Sequence, residues 1–262
     1  MLNRDIVEQV VAISHQAGAK IMEIYQRDFD IQHKNDKSPL TEADLAAHHC
    51  IVDGLKALSS LPILSEESAN IPWSERSTWQ QYWLVDPLDG TKEFIKKNGE
   101  FTVNIALIDQ GKPVFGVVYA PVLDQTYVGQ VGQGAYKLDK GERHAISPKV
   151  KQTDEIWKIV GSRSHQSPEI QAFLDSLGGE SELIAMGSSL KLCLVAEGAA
   201  HLYPRLGPTC EWDTGAAQAV VEAAGGKVTI ITDVADARSE QAAALRYNQQ
   251  ESVLNPYFLV SY

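Results

Sequence analysis

The first sixty residues contain two segments in which apolar residues recur with helical spacing. In the first segment the apolar positions are Ile6, Val10, Ile13, Ala17, Ile21 and Ile24. Charged residues lie between them, which predicts an amphipathic helix over about residues 4–26. The second segment opens at Thr41-Glu42-Ala43-Asp44, where Thr41 and Asp44 have the spacing of a capping box. A second helix is predicted there, and on pattern alone a purely structural role for Asp44 stays open.

The middle of the chain consists of short extended segments separated by Gly, Pro or Asp. Strands are predicted at residues 101–108, 114–119, 126–128 and 135–138, with a turn at Gln110-Gly111. This pattern predicts an antiparallel meander. Two earlier apolar runs, residues 62–64 and 83–85, predict two further strands.

Beyond about residue 150, predicted strands alternate with predicted helices. The strands are at residues 159–160, 183–186, 200–203 and 227–231, and the helices are at residues 168–177, 190–197 and 214–224. A polar stretch at residues 150–157 separates the two patterns. We therefore predict an N-terminal lobe over residues 1–150, which carries most candidate metal ligands, and a C-terminal lobe over residues 151–262.

Composition and charge restrict the class of protein. With 262 residues that are 44% hydrophobic, the chain can bury a substantial core. A formal charge of −11 argues against a nucleic-acid polymer or an anionic membrane as the main partner. Cys50, Cys193 and Cys210 are an odd number without paired spacing, which fits a reducing compartment and fits neither a disulfide framework nor a zinc site.

The N-terminal segment carries charges throughout, so it predicts neither a signal peptide nor a membrane span. We therefore expect a cytoplasmic protein. Loose attachment to the cytoplasmic face of the inner membrane stays open, as does the oligomeric state.

The candidate chemistry lies in residues 82–94, YWLVDPLDGTKEF. A buried strand is predicted to deliver Asp86 and Asp89, and Pro87, which fixes φ and lacks an amide hydrogen, is predicted to take the chain out of the sheet. Both carboxylates and the Leu88 carbonyl can then converge on one point. Grouped hard oxygens suit Mg²⁺ or Mn²⁺ rather than zinc. The alternative is an ordinary strand-to-turn junction, because Asp-Pro and Asp-Gly are common turn formers.

Gly90 and Thr91 are predicted to open a short helix directly after this cluster. Amides at its N-terminus could hold an anion beside the metal, and Mg²⁺ in proteins commonly lies between carboxylates and a substrate phosphate. The segment as a whole therefore predicts a site where metal and phosphate meet. Ser65-Glu66-Glu67 forms a second group of carboxylates at a strand end, with a solvated loop as the alternative.

Three separated blocks resemble the lithium-sensitive, Mg²⁺-dependent phosphatase superfamily that includes inositol monophosphatase and fructose-1,6-bisphosphatase. The blocks are Thr41-Glu42-Ala43-Asp44, Asp86-Pro87-Leu88-Asp89-Gly90-Thr91 and Trp212-Asp213-Thr214-Gly215-Ala216-Ala217, supplemented by Ser65-Glu66-Glu67 and Ala224-Gly225-Gly226. Their order and approximate separations agree as well as the strings do, and they span almost the whole chain. The resemblance implies an α/β (α+β) fold, an α-β-α-β-α layered sandwich with the site between its two halves.

The resemblance also implies metal ligands. One Mg²⁺ would be held by Glu66, Asp86 and the Leu88 carbonyl, and a second by Asp86, Asp89 and Asp213. Two cations about 4 Å apart can clamp the attacking and leaving oxygens of an in-line displacement. The family pattern implies two or three Mg²⁺ ions per site, with Mn²⁺ as a substitute.

The catalytic residues that the resemblance implies are Asp44, Glu66 and Thr91. Thr91, oriented by Asp44, would hold the attacking water. No phosphoenzyme is needed, because water bound to the metal is already acidified and aimed at phosphorus.

Further residues resemble the bisphosphate-nucleotidase branch of this superfamily. The implied substrate contacts are Leu88, Asp89, Gly90, Thr91, His165, Ser188, Lys191, Arg205 and Asp213. Lys191 and Arg205 supply positive charge that a monophosphate would not need, with an exposed helix lysine and a strand-end arginine as the alternative. For His165 two interpretations are equally open: it lies near the adenine base of the substrate, or it is a surface histidine.

The reaction implied by this branch removes the 3′-phosphate of adenosine 3′,5′-bisphosphate to give AMP and phosphate. Conversion of 3′-phosphoadenylyl sulfate to adenylyl sulfate, in sulfur assimilation, would be related chemistry. The expected partner is thus a small nucleoside bisphosphate. Two other functions stay open: an inositol-1-monophosphatase-type phosphatase and a catalytically silent nucleotide-sensing protein. The silent protein is disfavoured because every implied catalytic position is present.

Overall fold

The structure of the chain, a computed structural model, describes residues 2–28, 31–33, 39–161, 168–233 and 237–262. The helices are α1 (Arg4–Tyr25), α2 (Glu42–Leu58), α3 (Trp73–Arg76), α4 (Thr91–Ile95), α5 (Pro168–Leu177), α6 (Leu190–Ala196) and α7 (Gly215–Ala224). The strands are β1 (Ile31–His33), β2 (Pro39–Thr41), β3 (Ile63–Ser65), β4 (Gln81–Asp89), β5 (Thr102–Asp109), β6 (Lys112–Ala120), β7 (Gln125–Gln130), β8 (Gly134–Asp139), β9 (Glu142–Ile146), β10 (Trp157–Gly161), β11 (Ser181–Ala185), β12 (Tyr203–Arg205), β13 (Lys227–Ile230) and β14 (Phe258–Ser261). Two 3-10 turns cover Glu66–Ser68 and Glu211–Asp213.

Seven strands form the central sheet, in the order β3-β4-β5-β6-β7-β8-β9. β3 and β4 are parallel, and the other neighbours are antiparallel, which confirms the predicted meander. The sequence did not predict β9. This edge strand buries none of its residues and therefore lacks the alternation of apolar and polar positions that marks a half-buried strand.

The two faces of the central sheet pack against different helices, because successive strand residues point to opposite sides. Trp83 and Val85 of β4 pack with the buried faces of α1 and α2. Tyr82 and Leu84 of the same strand pack with α6 and α7 instead.

A second sheet packs on the other side of α6 and α7. It contains the parallel pair β10–β11 and the antiparallel order β12-β14-β13, with a bridge from Ile159 to Leu202 between them. Phe258 of β14 shares the core of α6 and α7, whereas Leu259 packs with Phe173 of α5. The layers therefore run α-β-α-β-α, and the predicted sandwich is confirmed.

The central sheet ends at Ile146, and the next strand begins at Trp157. The core around α6 and α7 includes side chains from both sheets. The division into lobes at residue 150 stays a prediction. Across the ranges that the structure describes, none of the helices has the length and apolar character needed to cross a membrane.

Strand β4 continues through a proline, contrary to the prediction that the chain leaves the sheet there. Asp86 pairs with Asn104 and Asp89 pairs with Thr102, so three steps along β4 match two along β5. This is a β-bulge, a position at which strands tolerate proline and at which the extra residue re-aims the neighbouring side chains. The bulge therefore changes the directions of the side chains near Pro87, and the strand continues to Asp89.

The strand predicted at residues 200–203 was expected to stop before Pro204, whereas β12 (Tyr203–Arg205) includes this proline. β12 is the outer strand of the order β12-β14-β13, and the bridge to Ile159 is made by Leu202, before β12 begins. Among the described residues Pro204 therefore has a ladder partner on one side only, and strands tolerate proline where the other side needs no hydrogen bond. Arg205 is consequently the last residue of the strand.

Helix α7 approaches the central sheet closely. A Cβ atom on Gly116 of β6 would lie 2.1 Å from the carbonyl oxygen of Ala216. A Cβ atom on Gly129 of β7 would lie 2.5 Å from the Cα atom of Val220. α7 begins two residues after Asp213. The packing of α7 on the central sheet therefore also fixes the position of the Asp213 carboxylate.

We expect Gly116→Ala to lower the free energy of unfolding by about 1–3 kcal/mol, the range for overpacking a close-packed core. The added methyl would meet the backbone of Ala216 in α7, which a rotamer change cannot move. Urea or thermal unfolding measures the effect. Gly207→Ala is a suitable control, because the nearest atom to its Cβ would be the Arg205 Cζ at 3.8 Å. Equal losses in the two variants would contradict the close approach of α7.

Candidate active site

Three carboxylates meet where β4 ends. Asp86 lies in the bulge, Asp89 is the last residue of β4, and Asp213 ends the 3-10 turn before α7. One oxygen of each lies within 4.8 Å of the other two. These are the residues to which the family resemblance assigns the second metal ion.

The carboxylates line a cavity of about 360 Å³. The other predicted site residues that line it are Glu66, Leu88, Gly90, Thr91, Ser188, Lys191 and Arg205. His165 lies outside the described residues, so its place near the substrate stays a prediction. The structure thus brings together residues that lie far apart in the sequence.

Burial and mutual repulsion disfavour the ionised forms of the three carboxylates. Burial raises the pKa of Asp86 well above its usual range, and the charges of Glu66 and Asp89 raise it further. Burial also raises the pKa of Asp89 to about 6. Burial, followed by the charge of Asp89, raises the pKa of Asp213 to about 8. A bound divalent cation would offset this repulsion. Crowded, buried carboxylate oxygens therefore fit a hard divalent metal ion.

Asp44 makes two different contacts at the start of α2. One carboxylate oxygen accepts hydrogen bonds from the Thr41 amide at 2.8 Å and the Thr41 hydroxyl at 2.6 Å, within the predicted capping box. The other oxygen accepts a hydrogen bond from the Thr91 hydroxyl at 3.2 Å. The structural and functional interpretations of Asp44 are compatible, because each uses a different oxygen.

Glu66 lines the cavity but is not among the three clustered carboxylates found in the described residues. It follows β3, whose parallel register pairs Ser65 with Val85, one residue before Asp86. Glu66, which follows β3, therefore lies beside Asp86 of β4, and its charge acts on that carboxylate.

Two cationic side chains line the same cavity. The Lys191 ammonium, in the first turn of α6, lies 5.8 Å from the centre of the Tyr203 ring. Burial lowers the pKa of Lys191, the Asp89 charge raises it, and the Arg205 charge lowers it again. Arg205 donates through Nη2 to the Pro208 carbonyl at 2.8 Å, and among the described residues its buried Nε has no hydrogen-bond partner. The other N–H groups of Arg205 therefore include at least one donor that makes no hydrogen bond within the described residues.

The sequence analysis missed a buried hydrogen-bonded group that holds the start of α6. The Ser189 hydroxyl donates to the Asn104 side chain at 2.7 Å and lies 2.9 Å from the Thr102 hydroxyl. The Ser189 amide donates to Asp89. That amide orients a candidate metal ligand and is not free for an anion. Ser189 and Asn104 are 85 positions apart, so no local pattern connects them.

Glu100 is a second residue that the sequence did not single out. Its carboxylate accepts a hydrogen bond from the Gly187 amide at 2.8 Å. A Cβ atom on Gly187 would lie 2.7 Å from the Glu100 carbonyl oxygen. Glycine therefore allows the segment before Ser188 to approach the turn before β5.

The fold and these residues define a class of protein. The sequence profile of the inositol monophosphatase family matches residues 2–255. The chain therefore belongs to the inositol monophosphatase family, and the resemblance stated from its motifs is confirmed.

The relatives of the chain include bacterial nucleotidases. It is 49% identical over 259 residues to the 3′(2′),5′-bisphosphate nucleotidase CysQ of Shigella flexneri, covering 98% of this chain and 99% of that protein. It is 35% identical over 261 residues to the nucleotidase of the same name from Haemophilus influenzae, covering 99% and 93%. The crystal structure of CysQ from Bacteroides thetaiotaomicron, a bacterial member of the family, has a TM-score of 0.83 and 39% identity, covering 98% and 97% of the two chains.

Proposed function

We propose that this chain is a Mg²⁺-dependent 3′(2′),5′-bisphosphate nucleotidase that converts adenosine 3′,5′-bisphosphate to AMP and phosphate. The observation that carries the proposal is the presence of two cations, Lys191 and Arg205, in the cavity lined by the three clustered carboxylates. One phosphate would lie at the carboxylate-bound metal, and the other would meet the cations. The names of the relatives support this class of enzyme. 3′-Phosphoadenylyl sulfate, which also carries two anionic groups, would be a second substrate.

The oxygen ligands of the cavity suit Mg²⁺, with Mn²⁺ as an alternative. Glu66, Asp86 and the Leu88 carbonyl would hold one ion, and Asp86, Asp89 and Asp213 a second. When bound, the ions stabilise the charge that develops on phosphate oxygens and lower the pKa of a bound water. Ser189 and Lys191 would help Asp89 to act as a metal ligand, because the Ser189 amide and the Lys191 charge both favour its ionised form.

The residues of the chain have separate tasks in the reaction. A bond forms between a water oxygen and phosphorus as the bond between phosphorus and the 3′-oxygen breaks. A proton from the water passes to the 3′-oxygen, which yields phosphate and a nucleoside 5′-phosphate with a free 3′-hydroxyl. Thr91, held by Asp44, orients the water. Lys191 and Arg205 hold the 5′-phosphate, so that the 3′-phosphate is positioned for in-line attack.

Phosphate release from adenosine 3′,5′-bisphosphate and from inositol 1-phosphate, measured side by side, tests the proposal. We expect much the higher kcat/KM for the nucleotide, activity that requires Mg²⁺, and its loss on adding a chelator. A preference for inositol 1-phosphate would favour the monophosphatase alternative. Nucleotide binding without any phosphate release would favour the silent sensing protein.

The two cations give a second prediction. Lys191→Ala, and more strongly its combination with Arg205→Ala, should lower kcat/KM on adenosine 3′,5′-bisphosphate roughly 10- to 150-fold. This corresponds to a loss of about 1.5–3 kcal/mol of transition-state stabilisation, the range for charge-assisted hydrogen bonds. The planar guanidinium can offer two donors to one phosphate, and the ammonium acts as a point charge. Initial rates over a range of substrate concentrations measure the effect.

The same variants should lose much less on 2′-AMP or inositol 1-phosphate, which carry no second phosphate. Lys96→Ala, which removes an exposed lysine charge outside the cavity lining, controls for the change in net charge. Equal losses on both substrate classes would show that these cations serve the reacting phosphate or the fold. The monophosphatase alternative would then replace the nucleotidase.

A further inference from the structure

One face of α2 reaches two parts of the site. Asp44 and His48 lie one helical turn apart, and both are buried. Asp44 contacts Thr91, as described above. The Nδ1 atom of His48 lies 2.8 Å from the hydroxyl oxygen of Ser65, the residue before Glu66. The second contact has no part in the proposed reaction as described so far.

Ser65 uses its hydroxyl in an unusual way for its position. It is the N-cap residue of the 3-10 turn Glu66–Ser68, where a serine hydroxyl ordinarily accepts a hydrogen bond from a turn amide. Here it makes no capping hydrogen bond. Its hydroxyl is directed at His48 instead, and its backbone is fixed by pairing with Val85 of β4. Ser65 is completely buried, so bulk water does not reach its hydroxyl.

We propose that His48 is a positioning residue for Glu66 and acts through the Ser65 hydroxyl. The inference rests on the proposed function, in which Glu66 holds Mg²⁺. Ser65 is held by α2 through its hydroxyl and by β4 through its backbone. These two contacts fix the backbone direction at Glu66, the residue that follows. α2 thereby orients both the group that holds the water, through Asp44, and a metal ligand, through His48. Groups that orient metal ligands usually change metal affinity when they are removed.

Two amide substitutions test the role of Nδ1 while keeping a polar, uncharged side chain at position 48. The side-chain amide of His48→Asn places a polar atom near the position of Nδ1, whereas that of His48→Gln places one near Nε2. We expect His48→Asn to keep Mn²⁺ affinity within about threefold of the unsubstituted protein. We expect His48→Gln and Ser65→Ala to weaken the affinity of one Mn²⁺ site by about 10-fold or more, the lower part of the range for groups that orient metal ligands.

Mn²⁺ binding to the metal-free protein, followed by electron paramagnetic resonance, measures this without catalysis. His144→Gln is the matched control, since it makes the same substitution at an exposed histidine of β9. It should leave Mn²⁺ affinity unchanged. Equal affinities for His48→Asn and His48→Gln would overturn the proposal.

A double-mutant comparison separates positioning from general damage to the core. In a Glu66→Gln background, His48→Gln should cause no further loss of Mn²⁺ affinity, because its effect passes through the missing carboxylate. Independent, multiplicative losses would also overturn the proposal. If the unsubstituted protein released no phosphate while the Mn²⁺ results held, the proposed function would fail and the positioning of Glu66 by His48 would stand.

Discussion

Asp86→Asn is expected to lower the rate of phosphate release by about 10³-fold or more at millimolar Mg²⁺, because metal ions supply several kcal/mol of charge stabilisation in such reactions. In the proposed arrangement Asp86 belongs to both metal sites. It is also the most buried of the three clustered acids, with 1% of its surface exposed. Removing its charge therefore weakens both ions at once, and excess Mg²⁺ should restore little of the rate.

The fold should survive this substitution. The Asp86 carboxylate accepts a hydrogen bond from the Leu88 amide at 3.0 Å, and an asparagine side-chain oxygen can accept the same bond. The charges of Glu66, Asp89 and Asp213 all oppose ionisation of Asp86. A neutral side chain relieves that repulsion, so the metal-free variant should unfold at a higher temperature than the metal-free parent.

Thermal unfolding with and without Mg²⁺ measures this effect, and the increase that Mg²⁺ causes should largely disappear in the variant. Asp124→Asn, a change at an exposed acid on the hairpin between β6 and β7, controls for the loss of one negative charge. A near-normal kcat for Asp86→Asn at ordinary Mg²⁺ concentrations would contradict the bridging role.

The parts of the site that the sequence predicted are those in which neighbours in the chain remain neighbours in space. Asp86, Leu88 and Asp89 come from one short segment, and Asp44 forms its capping box within one turn of α2. Asp213 and Glu66 were placed only through the family resemblance. Nothing in the composition or spacing of their own segments brings them to the end of β4.

The remaining contacts depend on packing between distant elements. The buried group of Thr102, Asn104 and Ser189 joins β5 to α6, and the bond from His48 to Ser65 joins α2 to β3. Each residue alone has an ordinary strand or helix interpretation. Their partners become evident only when the layers are assembled.

The errors in strand ends have a shared physical cause. Proline was taken as the end of a strand in β4 and β12, because it cannot donate a ladder hydrogen bond. In β4 a bulge removes the need for that bond, and in β12 the position at the edge removes it. Whether a strand has a bulge or lies at an edge is decided by its neighbours, so the sequence around Pro87 and Pro204 could not show it.

Thr91→Ala is expected to lower kcat by about 10²-fold or more while changing KM little, because a group that orients the attacking water acts mainly in the transition state. The Thr91 hydroxyl has a single hydrogen. The Asp44 oxygen lies 3.2 Å away and the Leu88 carbonyl 3.4 Å away, and the charged carboxylate is the stronger acceptor. With the hydrogen directed to Asp44, the oxygen of Thr91 can accept a hydrogen bond from water in the cavity.

Thr91→Ser is the matched control, since it keeps the hydroxyl and should retain most of kcat. Asp44→Asn separates the two contacts of that residue. It should lower both kcat and the unfolding temperature, because it changes the acceptor for Thr91 and also the capping bonds from Thr41. Thr91→Ala leaves those capping bonds in place, so its unfolding temperature should stay near that of the parent. A change confined to KM would instead make Thr91 a phosphate contact in the ground state, and the water would then need another group to orient it.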